Sequence, residues 1–142
     1  MGNWLDYFRN KQAGEVQGNL LGPPETSDIV IDHTSPSQKL AYTRLQDLVK
    51  ARGGDQRTHA VVNADCIQYL LGVAPNDLYD ALGVPRSKRE RLPTEAQEVL
   101  MVGNLAAFYA ILEDESQGHD SIIESSQKGF TRARKIFPWN RE

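Results

Sequence analysis

The chain has 142 residues, 39% of them hydrophobic and 25% charged, with a net charge of −3 and a single cysteine, Cys66. These values fit one ordinary globular domain and exclude a chain disordered throughout, an intrachain disulfide and a cysteine-based metal cage. The acidic total argues against a protein that coats nucleic acid through its overall field, although a local basic patch stays open.

Met1-Gly2-Asn3-Trp4-Leu5-Asp6 lacks the basic and apolar regions of a secretory signal, and Asp6 stands where a myristoylation motif takes Ser or Thr. The longest apolar stretch, Val99 to Leu112, is interrupted by Gly103 and Asn104. It falls short of the roughly 18 residues a membrane span needs. The expectation is a cytoplasmic protein with no membrane contact.

Residues 3–11 carry Trp4, Leu5 and Phe8 on one side of a short amphipathic helix, which must dock on something to persist. Residues 12–35, with Gly14, Gly18, Gly22 and Pro23-Pro24, read as an extended arm with at most a short strand at 28–32. Ser35-Pro36 offers a capping hydroxyl before a proline at the first helical position. Leu40, Ala41, Leu45, Leu48 and Val49 then recur at helical spacing, until Gly53-Gly54 stops the helix.

Val61-Val62 reads as a short extended piece and Asn63 as the cap of a helix over 64–71, ended by Gly72. A second short helix spans 76–82, with Leu78, Tyr79 and Leu82 apolar and Gly83 closing it. Thr94-Glu95-Ala96-Gln97 has the form of a capping box that opens a helix to about residue 114. That helix is apolar nearly all round, which predicts a buried central element with Leu105, Phe108 and Ile111 enclosed. A last helix over 121–137 turns Ile122, Ile123, Phe130, Ala133 and Phe137 inward, and Pro138 ends it. The fold class is therefore mainly α: a compact domain of four to five helices over 36–137, an N-terminal helix and arm over 1–35, and a tail over 138–142.

No catalytic constellation emerges, and the expectation is a non-enzymatic chain without cofactor or metal. His59 and Cys66 are the one conceivable nucleophile pair, but a cysteine beside Ile67 in a helix is usually a small core hydrophobe. His33, His59 and His119 show no ligand spacing. The helices on either side of Gly72-Val73 suggest a helix-turn-helix, yet the second carries Asp77 and Asp80 and no cation, which phosphates would repel. Two basic clusters remain: Arg86, Lys88, Arg89 and Arg91 before the central helix, and Lys128, Arg132 and Lys135 along one face of the last. Should they converge, they offer contacts for phosphate backbone or an acidic partner; the plainer reading is a solvated surface. Trp4, Leu5, Phe8 and Trp139 are candidate docking residues for a protein partner, or else they fold back on their own domain.

Val62-Asn63, Tyr69-Leu70-Leu71-Gly72, Asp77-Leu78-Tyr79, Leu82-Gly83, Leu92 with the helix from Thr94 to Leu112 after a basic loop, and Gln127-Lys128-Gly129 with Arg132 to Ile136 form an ordered pattern along the chain. Over residues 61–137 it resembles the C-terminal half of the damage-inducible protein D family and related prophage proteins. Residues 1–60 do not match that family's N-terminal half, which looks like a phage antirepressor domain. The resemblance implies a role in the DNA damage response or a mobile element, exercised by binding rather than catalysis. It supplies no catalytic residues. Two functions follow as expectations: a binding or regulatory module linked to DNA metabolism or a prophage, or a structural or assembly subunit of a phage particle or multiprotein complex.

Overall fold

Local signals place most helix ends. In the computed structural model, which describes residues 3–9 and 36–140, every regular element is helical. Helix α1 covers residues 4–9. Helix α2 runs Pro36–Ala51, α3 Gln56–Leu71, α4 Pro75–Leu82, α5 Thr94–Asp114 and α6 His119–Arg134. Single 3-10 turns occupy Arg89–Arg91 and Pro138–Asn140. The expected mainly α fold is what the chain adopts. The expected arm and the strand at 28–32 lie outside the described residues.

Helix α3 begins eight residues before the expected start at 64. Asp55, in extended backbone after Gly54, accepts the Thr58 amide at 3.0 Å, and Thr58 Oγ1 accepts the Asp55 amide at 3.1 Å. This reciprocal box satisfies two amides at the helix start and outweighs the β-branched pair that suggested an extended piece. Val62 is buried inside the helix, and Asn63 is an interior residue rather than a cap. Gly72 and Gly83, both in the left-handed region, end α3 and α4 as expected.

Helix α5 starts at Thr94 with Pro93 in the cap position, one residue before the place the capping box implied. The Gln97 side chain turns back to the preceding loop, where its amide donates to the Glu90 and Leu92 carbonyls at 3.1 and 2.9 Å. Helix α6 spans 119–134 rather than 121–137, so Phe137 packs from the turn beyond it and Ile136 is exposed.

Four helices form the bundle. Helix α5 packs against α6, α2 and α3, and α3 packs against α6 as well. Helix α2 follows α5 in the same direction: Arg44 lies over Phe108, and Arg52 Nη1 donates to the Ser116 carbonyl at 3.3 Å. Helices α3 and α6 run the opposite way. Leu45, Val49, Val62, Leu70, Leu100, Ile111, Ile122 and Phe130 fill the centre.

Two glycines set the spacing of the layers. A Cβ on Gly129 would stand 2.6 Å from the Ala106 carbonyl oxygen and 3.1 Å from the Ala107 nitrogen, so the backbones of α5 and α6 are in contact there. A Cβ on Gly103 would meet Leu70 Cδ1 at 2.5 Å and Cys66 Sγ at 2.7 Å. The inner face of α5 is correspondingly small, with Ala96, Gly103, Ala107 and Ala110 buried.

The outer face of α5 does not match the sequence expectation. Ile111 is enclosed, but Leu105 and Phe108 are only half-buried, and Tyr109 and Leu112 are 56% and 37% exposed. An all-round apolar helix needs neighbours on every side, and here α2, α3 and α6 cover three of them. Truncating Phe108 should accordingly cost less than the roughly 3–5 kcal/mol typical of a fully buried Phe.

Gly129→Ala gives a clean test of the close approach. Helix propensity alone favours alanine by about 1 kcal/mol. The backbone contact should reverse that sign and destabilise the fold by about 1–3 kcal/mol, read as a lower urea midpoint. A variant more stable than the parent would show that α5 and α6 do not touch at this position.

Candidate functional site

The nucleophile pair does not form. Both His59 and Cys66 lie in α3, and the Cys66 thiol points to the Leu100 carbonyl and Asn104 Oδ1, each at 3.8 Å. Burial pushes that thiol up to about 12, which suppresses the reactive thiolate. His59 Nδ1 is enclosed without a hydrogen-bond partner among the described residues. His33 lies outside the described residues.

His119 takes part in an arrangement the sequence reading missed. Thr58 Oγ1 lies 2.7 Å from His119 Nδ1 and donates to Asp55 Oδ1 at 3.1 Å, joining the starts of α3 and α6. Thr58 is completely buried, so its hydroxyl cannot meet a substrate and the group works as a structural tie. Asp-Gln-Arg-Thr after the Gly53-Gly54 stop was the available signal. Among the described residues no cluster of His, Cys, Asp and Glu is placed to hold a metal ion.

Helix α4 packs as the second arm of a helical hairpin, with Leu78 and Tyr79 buried and Asp77 and Asp80 facing solvent. The two basic clusters occupy different parts of the bundle. Lys128 pairs with Asp114 at 3.1 Å and Arg132 with Glu113 at 3.7 Å, both acids at the C-terminal end of α5. Lys135 is exposed just past α6. The Arg86–Arg91 loop instead lies beside the first half of α5, where Arg89 and Glu90 share a cleft with Gln97, Leu100 and Asn104. At about 1.5 Å per residue, most of the length of α5 separates the loop from those acids. Lys128 and Arg132 therefore stand apart from the loop along α5, and their part of the α6 stripe is partly neutralised by its neighbours.

The loop is the less compensated of the two. Lys88 and Arg91 are exposed. Arg86 Nη1 donates to Asn76 Oδ1 at 2.7 Å, and the Arg89 guanidinium carbon sits 5.0 Å from the centre of the Tyr42 ring. This cation–aromatic pair stands between two hollows. One, of about 420 Å³, has Gln38, Lys39, Tyr42, Met101 and Asn104 in its wall. The other, of about 310 Å³, includes Asn63, Ile67, Tyr79 and Arg86. Burial raises the Tyr79 phenol above its ordinary value, against the pull of Arg89 and Arg86.

The four candidate docking residues are occupied within the chain. Trp4, Leu5 and Phe8 are buried in the core, and Trp4 stacks on Phe8 with centroids 4.6 Å apart. Trp139 Nε1 donates to the Leu70 carbonyl at 2.6 Å, stacks on Phe137 and touches Tyr7. Helix α1 thus folds back over the end of the bundle, and these aromatic rings are its anchor rather than a free plug.

No protein-family model and no curated protein matches the chain. No helix among the described residues is long and apolar enough to cross a membrane.

Asp114 offers a pH test of the α5–α6 junction. Its carboxylate accepts from Ser125 Oγ at 2.7 Å and from Lys128, and these bonds hold its pKa below the ordinary value. A depressed pKa stabilises the fold above the unfolded value of about 4, and that stabilisation disappears as pH falls through the folded value. Asp114→Asn should therefore lower the urea midpoint at pH 7, with the gap to the parent shrinking at pH near 3. A gap independent of pH would assign the effect to shape rather than charge.

Proposed function

We propose that this chain is a non-enzymatic, cytoplasmic binding module that serves DNA metabolism or a mobile element and engages DNA through the Arg86–Arg91 loop. The observation that carries this reading is the position of the loop. Lys88 and Arg91 point to solvent while Arg86 and Arg89 are held by Asn76 and Tyr42, so the charges are pre-arranged on one side of an acidic molecule. Asp77 and Asp80 on α4, beside the Asn76 that holds Arg86, repel phosphates and restrict where DNA can approach the loop. The resemblance to the damage-inducible protein D family points the same way.

Binding of a labelled DNA duplex, followed by fluorescence anisotropy against salt concentration, tests it. Affinity should fall steeply with salt, and Lys88→Glu or Arg91→Glu should each reduce the log–log slope by about one unit. Lys128→Gln should change it less, since Asp114 already pairs with that cation. Absence of binding at low salt, or a slope unchanged by loop variants, rules the reading out.

The open face of α5 favours a second reading, an assembly subunit that packs against further copies of the chain. Met101, Val102, Leu105, Phe108, Tyr109 and Leu112 recur at helical spacing over three turns without a charge among them, and none is fully enclosed. Contiguous exposed apolar surface of this kind commonly marks an interface. Sedimentation velocity should show larger species at higher concentration, which Tyr109→Ser with Leu112→Ser abolishes. A monomer at every concentration rejects self-assembly.

A further inference from the structure

The larger hollow beside α5 has walls of uneven chemistry. Leu100 and Met101 form an apolar side, Tyr42 contributes an aromatic edge, and Arg89 and Lys39 bring positive charge, with Glu90 the one acid among the described lining residues. Its volume of about 420 Å³ falls within the range of small-molecule sites.

The polar groups at its wall are not equally spent. Gln97 has committed both amide hydrogens to the Glu90 and Leu92 carbonyls. Asn104 differs. It is 2% exposed, and its Oδ1 accepts from the Cys66 thiol, but its amide nitrogen has no acceptor among the described residues. Tyr42 Oη accepts a long 3.5 Å bond from Asn63 and keeps its own hydrogen to donate. Among the described residues Arg89 is held by ring contact alone, with no acceptor for its five N–H donors. What the cleft offers is hydrogen-bond donors and positive charge above an apolar wall. A donor at the wall that no protein group occupies gains a bond when a ligand supplies an acceptor.

We propose that this cleft binds a small organic anion with an apolar body. Arg89 holds the carboxylate or phosphate, Asn104 donates to an acceptor atom deeper in, and the body lies against Leu100 and Met101. A guanidinium suits either head group because its planar fork matches two oxygens at once. The Tyr42 ring beneath Arg89 orients that fork without consuming its donors. The Glu90 carboxylate sets a limit, since a dianion gains less there than two cations alone would give. This site stands independently of DNA binding: it uses the cleft behind the loop rather than the loop's exposed Lys88 and Arg91.

The test is a 1H–15N NMR titration of the full chain with 2-naphthoate and, separately, with 2-naphthyl phosphate. Neutral 2-naphthylmethanol is the control. At least one anion should saturate, shifting the Asn104 side-chain amide and the backbone amides of Leu100 and Met101. The anion that binds more tightly identifies the head group. Arg89→Gln should weaken binding at least tenfold with its thermal midpoint unchanged. Asn104→Ala should weaken it too; if that variant does not fold, Arg89→Gln alone decides. Lack of saturable shifts with both anions overturns the proposal. So does equal binding of the neutral control, or unchanged affinity in Arg89→Gln. None of these readouts involves DNA, so the site and the nucleic-acid reading fail separately.

Discussion

Backbone contact between α5 and α6 is the constraint on which the bundle rests. At Gly129 the two chains approach so closely that one added carbon would overlap a carbonyl oxygen. Gly103 does the same for α3, where Cys66 and Leu70 fill the space a side chain would occupy. Such proximity brings many weakly attractive atom pairs into range and leaves no volume for water. It also fixes where everything else can sit. With glycine and alanine at the closest contacts of α5, Leu100 and Ile111 fill the centre beside them, while Phe108, Tyr109 and Leu112 are left to the outside. Phe108 becomes a platform for Arg44, and Leu100 and Met101 become the wall of a cleft.

That geometry explains which parts of the fold were legible in the sequence. The glycine stops at 72 and 83 and the long helix near 94–114 follow from local rules that tertiary packing does not override. The start of α3 was hidden because Val61-Val62 favours extended chain, whereas an Asp-to-Thr box several residues earlier decides the matter. Burial was harder. An apolar residue on an apolar helix carries no mark of which side its neighbours take, so Leu105 and Phe108 could not be told apart from Ile111. The small residues in α5 held the information, since Ala96, Gly103, Ala107 and Ala110 trace the closely packed face.

The candidate sites divide along the same line. Charge is visible in sequence, but compensation is not: Asp114 and Glu113 stand 14 and 19 residues from Lys128 and Arg132, and only the antiparallel turn between α5 and α6 brings them together. The Arg86–Arg91 loop escapes such pairing because its near neighbours are Asn76 and Tyr42. The cleft was invisible altogether. Its wall draws on α2, the basic loop and α5, and no spacing in one segment encodes it.

The seat of α1 has a consequence for the order in which the molecule can be completed. Trp4, Tyr7 and Phe8 share a hollow with Val99, Val102, Phe137 and Trp139, groups drawn from both extremes of the described chain. During synthesis the first of these emerge long before the last. Until Phe137 and Trp139 follow, the indole and phenyl rings of α1 lack much of their surroundings and stay accessible to whatever binds apolar chain. The contact that seats α1 is thus a long-range one, joining residues more than a hundred positions apart, and such contacts carry a larger chain-closure cost than those between neighbouring helices.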